Sequence, residues 1–433
     1  MKNRRVLILA VGTATAIFLS NILNFTASTS RFNVSYPSVV CPPNISGLTT
    51  AISLTSPKTL VRKTGTSSMK TSEVGFRRYA LAAQSAVIEA GSVTPVVWQV
   101  RKGVWAGAVA CSAPIASQWF VGAIADITSK GSLNIVNSGL GRALVEITLF
   151  NENGELAPRS ISLKPNSYAS LSLATLAPGS KEIAIHLLTR SGRVNGFLID
   201  ERGKGLQALG GDLVNSTGDA TKSLQIPAIP QQTGRNTSTP HTLRLLVPGD
   251  VDARISAEIR STDGTFSPVG INGRTIAHKK VVEIPMDITM ASGKFALHIT
   301  SDQPILGSVF SRTLSGGKRD FVWSTGASQL REFTLATTGL APTLVFTGTR
   351  VKVKLDLTYT NGKSKSVKID AEDIATFAVP SSVRSASFSQ ISSGTSGAAL
   401  ITSKSGYGYV PLNPGSVLTK SSIPASNIRV LNP

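Results

Sequence analysis

The chain is poor in the residues that most often carry chemistry. Its 433 residues include two cysteines and four histidines, and only 16% are charged. A zinc site needs about four clustered ligands, and no histidine stands near Cys41 or Cys111 in the sequence. So few charges, with 38 glycines and a 41% hydrophobic share, disfavour a helix-rich fold and suit short strands joined by many turns. Enzyme signatures are missing as well: no G-x-S-x-G, H-E-x-x-H, Walker loop or calcium loop occurs. Ser67-Ser68-Met69-Lys70 has S-x-x-K spacing, but Lys63-Thr64-Gly65 precedes it where the penicillin-recognising order places K-T-G later. Gly203, Gly205, Gly210 and Gly211 lack dinucleotide-loop spacing and are read as turn formers.

The remaining candidates for chemistry have plainer readings. The carboxylate pairs Asp250/Asp252 and Glu372/Asp373 read as solvated loops rather than the facing acids of glycoside hydrolysis. His186 and His298 fall at equivalent repeat positions, with Phe388 at the third, while His241 and His278 sit in loop-like surroundings. All four read as structural or surface histidines. The chain is expected to be non-enzymatic and to need no cofactor; a carbohydrate-active accessory protein and a protein-binding adhesin are the rival classes.

What is present is repetition. Leu144–Gly154, Ile255–Gly264 and Val353–Gly362 each carry alternating apolar residues into Asn-Gly or Asp-Gly, a period of two that only a half-buried strand uses, followed by a hairpin turn. In the third copy Val351, Val353, Leu355 and Leu357 share one face while Lys352, Lys354 and Asp356 share the other. Each copy is followed by a strand opening on a small residue, at Asn195-Gly196, Leu306-Gly307 and Ser396-Gly397. Ala184, Ala296 and Ala386 precede those glycines by 12, 11 and 11 residues, so the spacing persists while the side chains drift. Successive copies of one supersecondary unit explain this. The expected fold is all-β: tandem Ig-like or fibronectin-like sandwich repeats after an N-terminal membrane-spanning or signal helix.

That leading segment comes from Lys2, Arg4 and Arg5 ahead of an uncharged apolar run, Val6 to Phe25. A retained anchor and a cleaved signal both fit it, and either takes the chain out of the cytoplasm. In an oxidising compartment Cys41 and Cys111 pair by default; a metal site and two free buried thiols are the alternatives. The expected organisation is a signal anchor or signal peptide at 1–26, a stalk at 27–40 and a small basic β module at 41–115. Repeat 1 follows at 116–214, a linker at 215–240 with Pro227, Pro230 and Pro240, repeat 2 at 241–330, repeat 3 at 331–414 and a tail at 415–433.

Lysine and arginine outnumber aspartate and glutamate by 44 to 24, a formal charge of +20. Outside the membrane this charge points to an anionic wall polymer, glycan or membrane surface rather than to nucleic acid. In the basic module Lys58, Arg62, Lys63, Arg77, Arg78, Arg101 and Lys102 concentrate charge, and Trp98 and Trp105 bracket its end. Flat rings beside cations suit glycan stacking; the competing reading is a tryptophan filling a core.

Cys111-Ser112-Ala113-Pro114 followed by Trp119, then Leu133–Ser138 and Ala143–Phe150 ending in Asn153-Gly154, resembles an uncharacterised family of exported actinobacterial proteins, the DUF5719-like large secreted proteins of unknown function. Ser138 stands where the family has proline, and Gly122 alone stands for its usual glycine pair. The resemblance implies a cell-envelope protein of β-sandwich repeats and carries no functional residue.

Overall fold

The computed structural model describes residues 11–15, 32–45, 47–65, 71–74, 78–81, 84–234, 237–238, 240–288, 293–315 and 317–422. Most of the expected N-terminal segment, the S-x-x-K stretch and Arg77 lie outside the described residues. No helix among the described residues is long and apolar enough to cross a membrane. The chain divides into two compact units. In the smaller one Phe32–Ser35 pairs antiparallel with Thr419–Ser422. The larger one spans Tyr36–Val417.

The fold of this larger body is all-β, and one topology recurs in it. In repeat 1 a sheet built on Ser117–Val121, Ile183–Ser191 and Ala143–Asn151 shares one core with a second sheet, Ser167–Ser172, Ser132–Asn137, Asn195–Lys204 and Gln207–Val214. Alternation drives it. Val145, Ile147 and Leu149 are buried while Glu146 and Thr148 are not, and each fully buried aliphatic side chain stabilises by about 1.5–3 kcal/mol. Repeat 2 has the same strand order, but one long strand, Gly293–Ser315, runs through both sheets. In repeat 3 the strands Thr343–Tyr359 and Ser364–Ala378 do so. The Asn361-Gly362 hairpin forms as expected, with Val351, Val353, Leu355 and Leu357 in the core.

The recurring small residues have a packing cause. A β-carbon on Gly307 would lie 2.7 Å from Leu245, one on Gly397 3.0 Å from Phe346, and one on Gly196 would collide with Leu187. Here the chain passes from one sheet to the other, and only a residue without a side chain fits between the layers.

Four parts of the expected organisation need correction. The basic module is a fourth copy of the same unit: Val39–Cys41, Ala86–Glu89, Thr59–Lys63 and Thr71–Val74 make one sheet, and Arg78–Ala80, Thr49–Ser53, Val96–Arg101 and Trp105–Ala110 make the other. The stalk ends early, because Val39 and Val40 are fully buried in the first strand of this module. The linker contains Thr221–Gln231, the opening strand of repeat 2. Pro227 and Pro230 are tolerated there because the strand pairs with a single neighbour and breaks register between Ile226 and Ile229. The tail too begins as part of the body, since Gly415 bonds to Thr94 and Ala113; residues 423–433 lie outside the described residues.

The four modules close into a ring instead of hanging as beads. Val40, Val87, Val136 and Phe197 join the N-terminal module to repeat 1. Val121, Phe150, Leu246 and Leu306 join repeats 1 and 2, and Ala296, Val322, Val345 and Leu400 join repeats 2 and 3. Repeat 3 closes on the start, its core continuing into Val96, Trp98, Ala106 and Ala108. Cys41 and Cys111 are disulfide-bonded within the N-terminal module.

Candidate functional site

Each module contributes its last strand to the centre of the ring: Trp105–Ala110, Gln207–Val214, Lys318–Thr325 and Gly406–Pro411. These strands meet without forming a shared sheet, and glycine makes the approach possible. A β-carbon on Gly211 would lie 2.8 Å from the Trp105 ring, one on Gly408 2.6 Å from Trp98, and one on Gly107 2.8 Å from the Leu213 nitrogen.

Buried acids tie the strands together. Asp320 accepts a hydrogen bond from the Gly211 amide at 3.1 Å, and Asp212 accepts from the Trp323 amide at 2.7 Å. Asp200 accepts from the Trp323 indole at 2.9 Å and pairs with Arg202 at 2.7 Å. Asn215 donates to the carbonyls of Ala108 and Tyr409, and the Tyr409 hydroxyl donates to the carbonyl of Thr325. Beside this clasp the fully buried Arg244 donates to Ala123 and Ile183 of repeat 1, pairs with Glu283, and lies over the Trp323 ring.

Burial pushes the Asp320 carboxyl up to about 7, with the backbone N–H groups of Gly211, Phe321 and Ala106 pulling the other way. Burial also raises Asp212, and it raises Glu182 to about 7 with the help of Glu283. Raised carboxyl pKa values mark many active sites. Here Trp105, Trp323 and Tyr409 are fully buried around Asp200, Asp212 and Asp320, whose partners lie on their own and on neighbouring strands, while Glu182 is half-buried beside Glu283 and Arg244. The arrangement is a lock between modules.

The histidines are likewise occupied. His186 and His298 do hold equivalent registers, opposite Trp119 and Gln225, as Phe388 does opposite Phe333. Their Nε2 atoms meet Ser117 at 2.9 Å and Ser223 at 3.0 Å. In repeat 2, His298 Nδ1 lies 3.2 Å from the Arg260 guanidinium and 3.6 Å from a Glu258 carboxylate oxygen, and burial lowers its pKa. His241, expected in loop-like surroundings, is buried on the strand His241–Leu246 between Ser311 and Gln231, and burial drops its pKa to about 4. His278 is half exposed beside Asp252, and Asp250 pairs with Lys279. A cleft of about 470 Å³ between repeats 2 and 3 has Asp219 as its only ionisable lining residue among the described residues.

The expected basic and aromatic surface of the N-terminal module does not assemble. Trp98 and Trp105 are buried, because their alternation partners face neighbouring modules rather than water. Arg101 pairs with Glu201 at 2.7 Å, and Arg62 is held by Asn166 and the carbonyl of Ser138 in repeat 1. Lys58, Lys63, Arg78 and Lys102 are exposed. Sequence reasoning missed the clasp, although Gly210-Gly211-Asp212 and Gly406-Tyr407-Gly408 signalled it: those glycines serve close approach, not turns.

A search among curated proteins finds no match. A crystal structure of Thermotoga maritima 1070 is 20% identical, with 23% of this chain and 93% of that chain covered at a TM-score of 0.21, too low to carry an argument. The model of a family of unknown function, DUF5719, matches residues 66–380. With nearly three quarters of its length inside that match, including all three alternating strands and their hairpin turns, the chain belongs to this family.

Proposed function

We propose that the protein is a non-enzymatic extracytoplasmic scaffold of the cell envelope that binds an anionic surface: wall polymer, acidic glycan or membrane. Its modules are Ig-like sandwiches, and its N-terminal segment either anchors it in the membrane or is removed on export. The disulfide fits an oxidising compartment outside the cytoplasm.

One observation carries the reading. Among the described residues three carboxylates and two arginines are buried, so the formal excess of cations is carried at the surface. Asp200, Asp212 and Asp320 are buried, and Glu201, Glu283 and Asp370 each hold an arginine. Exposed Lys58, Lys102, Lys204, Lys363, Lys365 and Lys368 have no carboxylate within ion-pair distance among the described residues. A rigid body with uncompensated surface cations attracts polyanions over about a Debye length, roughly 8–10 Å at physiological salt.

The expected result is retention on purified cell envelope at low salt, lost as salt rises, measured by co-sedimentation. Retention indifferent to salt, or none, overturns the reading. Fractionation is expected to find the chain in membrane, wall or medium, and a cytosolic chain overturns the export claim.

A further inference from the structure

The four central strands run in the same direction, so the hairpin turns that lead into them gather at one end of the ring. Contacts at successive levels establish the direction. Nearest the turns, Asp320 meets Gly211 and Gly406, and Gly406 meets Ala106. Further on, Asp212 meets Trp323 and Gly408 meets Ala108. Beyond these, Asn215 meets Tyr409 and Tyr409 meets Thr325.

Every one of the four turns carries a cation: Lys102, Lys204, Lys318 with Arg319, and Lys404. Three of them lie within four residues of the level of Asp320, roughly 7–13 Å at the rise of a strand. The turn of repeat 1 reaches furthest, with Lys204–Leu209 wholly exposed. Lys318 Nζ donates to the carbonyl of Gly103 at 2.7 Å, joining two turns directly, and Lys130 Nζ donates to Gly205 at 3.1 Å. Of the nearby acids, Glu201 is paired with Arg101, and Asp126 accepts hydrogen bonds from Thr128.

Apolar side chains stand among these cations. Leu206 at the tip of the repeat 1 turn is 106% exposed, and Ile127, on the loop that bonds to that turn through Thr128 and Gly203, is 101% exposed. Leu314, paired with Arg319, is 53% exposed. A linear polyanion gains nothing from bare leucine and isoleucine, whereas a bilayer accepts them at its acyl boundary while its phosphates meet the lysines.

We propose that this end of the ring docks on an anionic phospholipid surface, with Leu206 and Ile127 entering the interface and the turn cations pairing with headgroup phosphates. This rests on the anionic-surface reading above and names its target. Each neutralised cation is expected to weaken binding about fivefold, so four together weaken it by roughly 600-fold. Removing the two apolar tips is expected to weaken binding at least about tenfold.

The test uses the full chain and its variants on phosphatidylglycerol-containing and pure phosphatidylcholine vesicles, read by flotation across a salt series. The neutral vesicles give the baseline contributed by the N-terminal apolar run. The combined variant Lys102→Gln, Lys204→Gln, Arg319→Gln, Lys404→Gln is expected to fall to that baseline. Leu206→Ser with Ile127→Ser is expected to weaken binding at unchanged salt dependence. Lys164→Gln, Lys222→Gln, Lys280→Gln, at exposed lysines away from the four turns, is expected to stay within about twofold of the parent. Equal loss in that last variant overturns the proposal in favour of diffuse charge. Parallel binding to polyglycerol phosphate separates the two readings. If the turn variant loses polymer binding while the serine variant binds vesicles normally, the bilayer proposal is overturned and the anionic-surface reading stands. If the parent favours neither anionic vesicles nor polymer, both fall.

Discussion

Trp105→Ala is expected to lower the stability of the body by about 3–5 kcal/mol, the range for truncating a fully buried aromatic. The indole is wholly buried in a cluster with Leu48, Ile199 and Leu213 and lies against Gly211, so its removal opens a void shared by the N-terminal module and repeat 1. Because the ring is closed, the loss is expected in one cooperative transition of the whole body, read by calorimetry or urea unfolding. A variant that loosens only an early, minor transition and leaves a native-like main one would mean that the modules fold separately. The complementary substitution Gly211→Ala presses a methyl into the same ring and is expected to destabilise as well.

The contribution of Asp320 to stability is expected to fall as pH rises from 4 to 7, opposed by His241, whose pKa lowered to about 4 adds stability over the same range. Asp320 has a folded-state pKa of about 7, above the ordinary aspartate value of about 3.9, so the folded chain holds a proton that the unfolded chain has released. This contribution is fully favourable below the unfolded value, is lost as pH climbs through the folded value, and amounts to something on the order of 4 kcal/mol. Asp212 and Glu182 are shifted in the same direction and add to the slope. Asp320→Asn keeps an acceptor for the Gly211 amide and removes the titration, so its urea-unfolding free energy at pH 8 relative to pH 5 is expected to shift toward greater stability than the parent's. An unchanged slope in the variant would show that Asp320 stays ionised throughout.

The local half of this architecture was written in the sequence and the tertiary half was not. Alternation from Val351 to Leu357 and the Asn361-Gly362 turn are properties of adjacent residues, and both appear as expected. The pairing of Cys41 with Cys111 also followed from what the chain offers. The N-terminal copy escaped notice because its strands are short, three to six residues, and its turns lack the Asn-Gly or Asp-Gly mark. The clasp escaped for a different reason: Asp212 and Asp320 look like surface residues until three neighbouring modules cover them. Trp98 misled in the same way. Its strand presents Val97 to its own module's core and Trp98 to repeat 3, so a face that alternation marks as outward is inward in the assembled ring. At the candidate site the excess of cations was legible, while their gathering at the ends of four central hairpins depends on topology.

The seam where Gly415 meets Thr94 and Ala113 carries a consequence for how such a protein can evolve. An open row of sandwiches can gain or drop a copy at either end, since each terminal unit exposes a surface ready for another. Here the last copy occupies the place a fifth would need, so copy number is frozen at four and variation is channelled into the lengths of loops on the rim. The same seam brings the beginning and end of the body side by side, which makes it a natural subject for circular permutation.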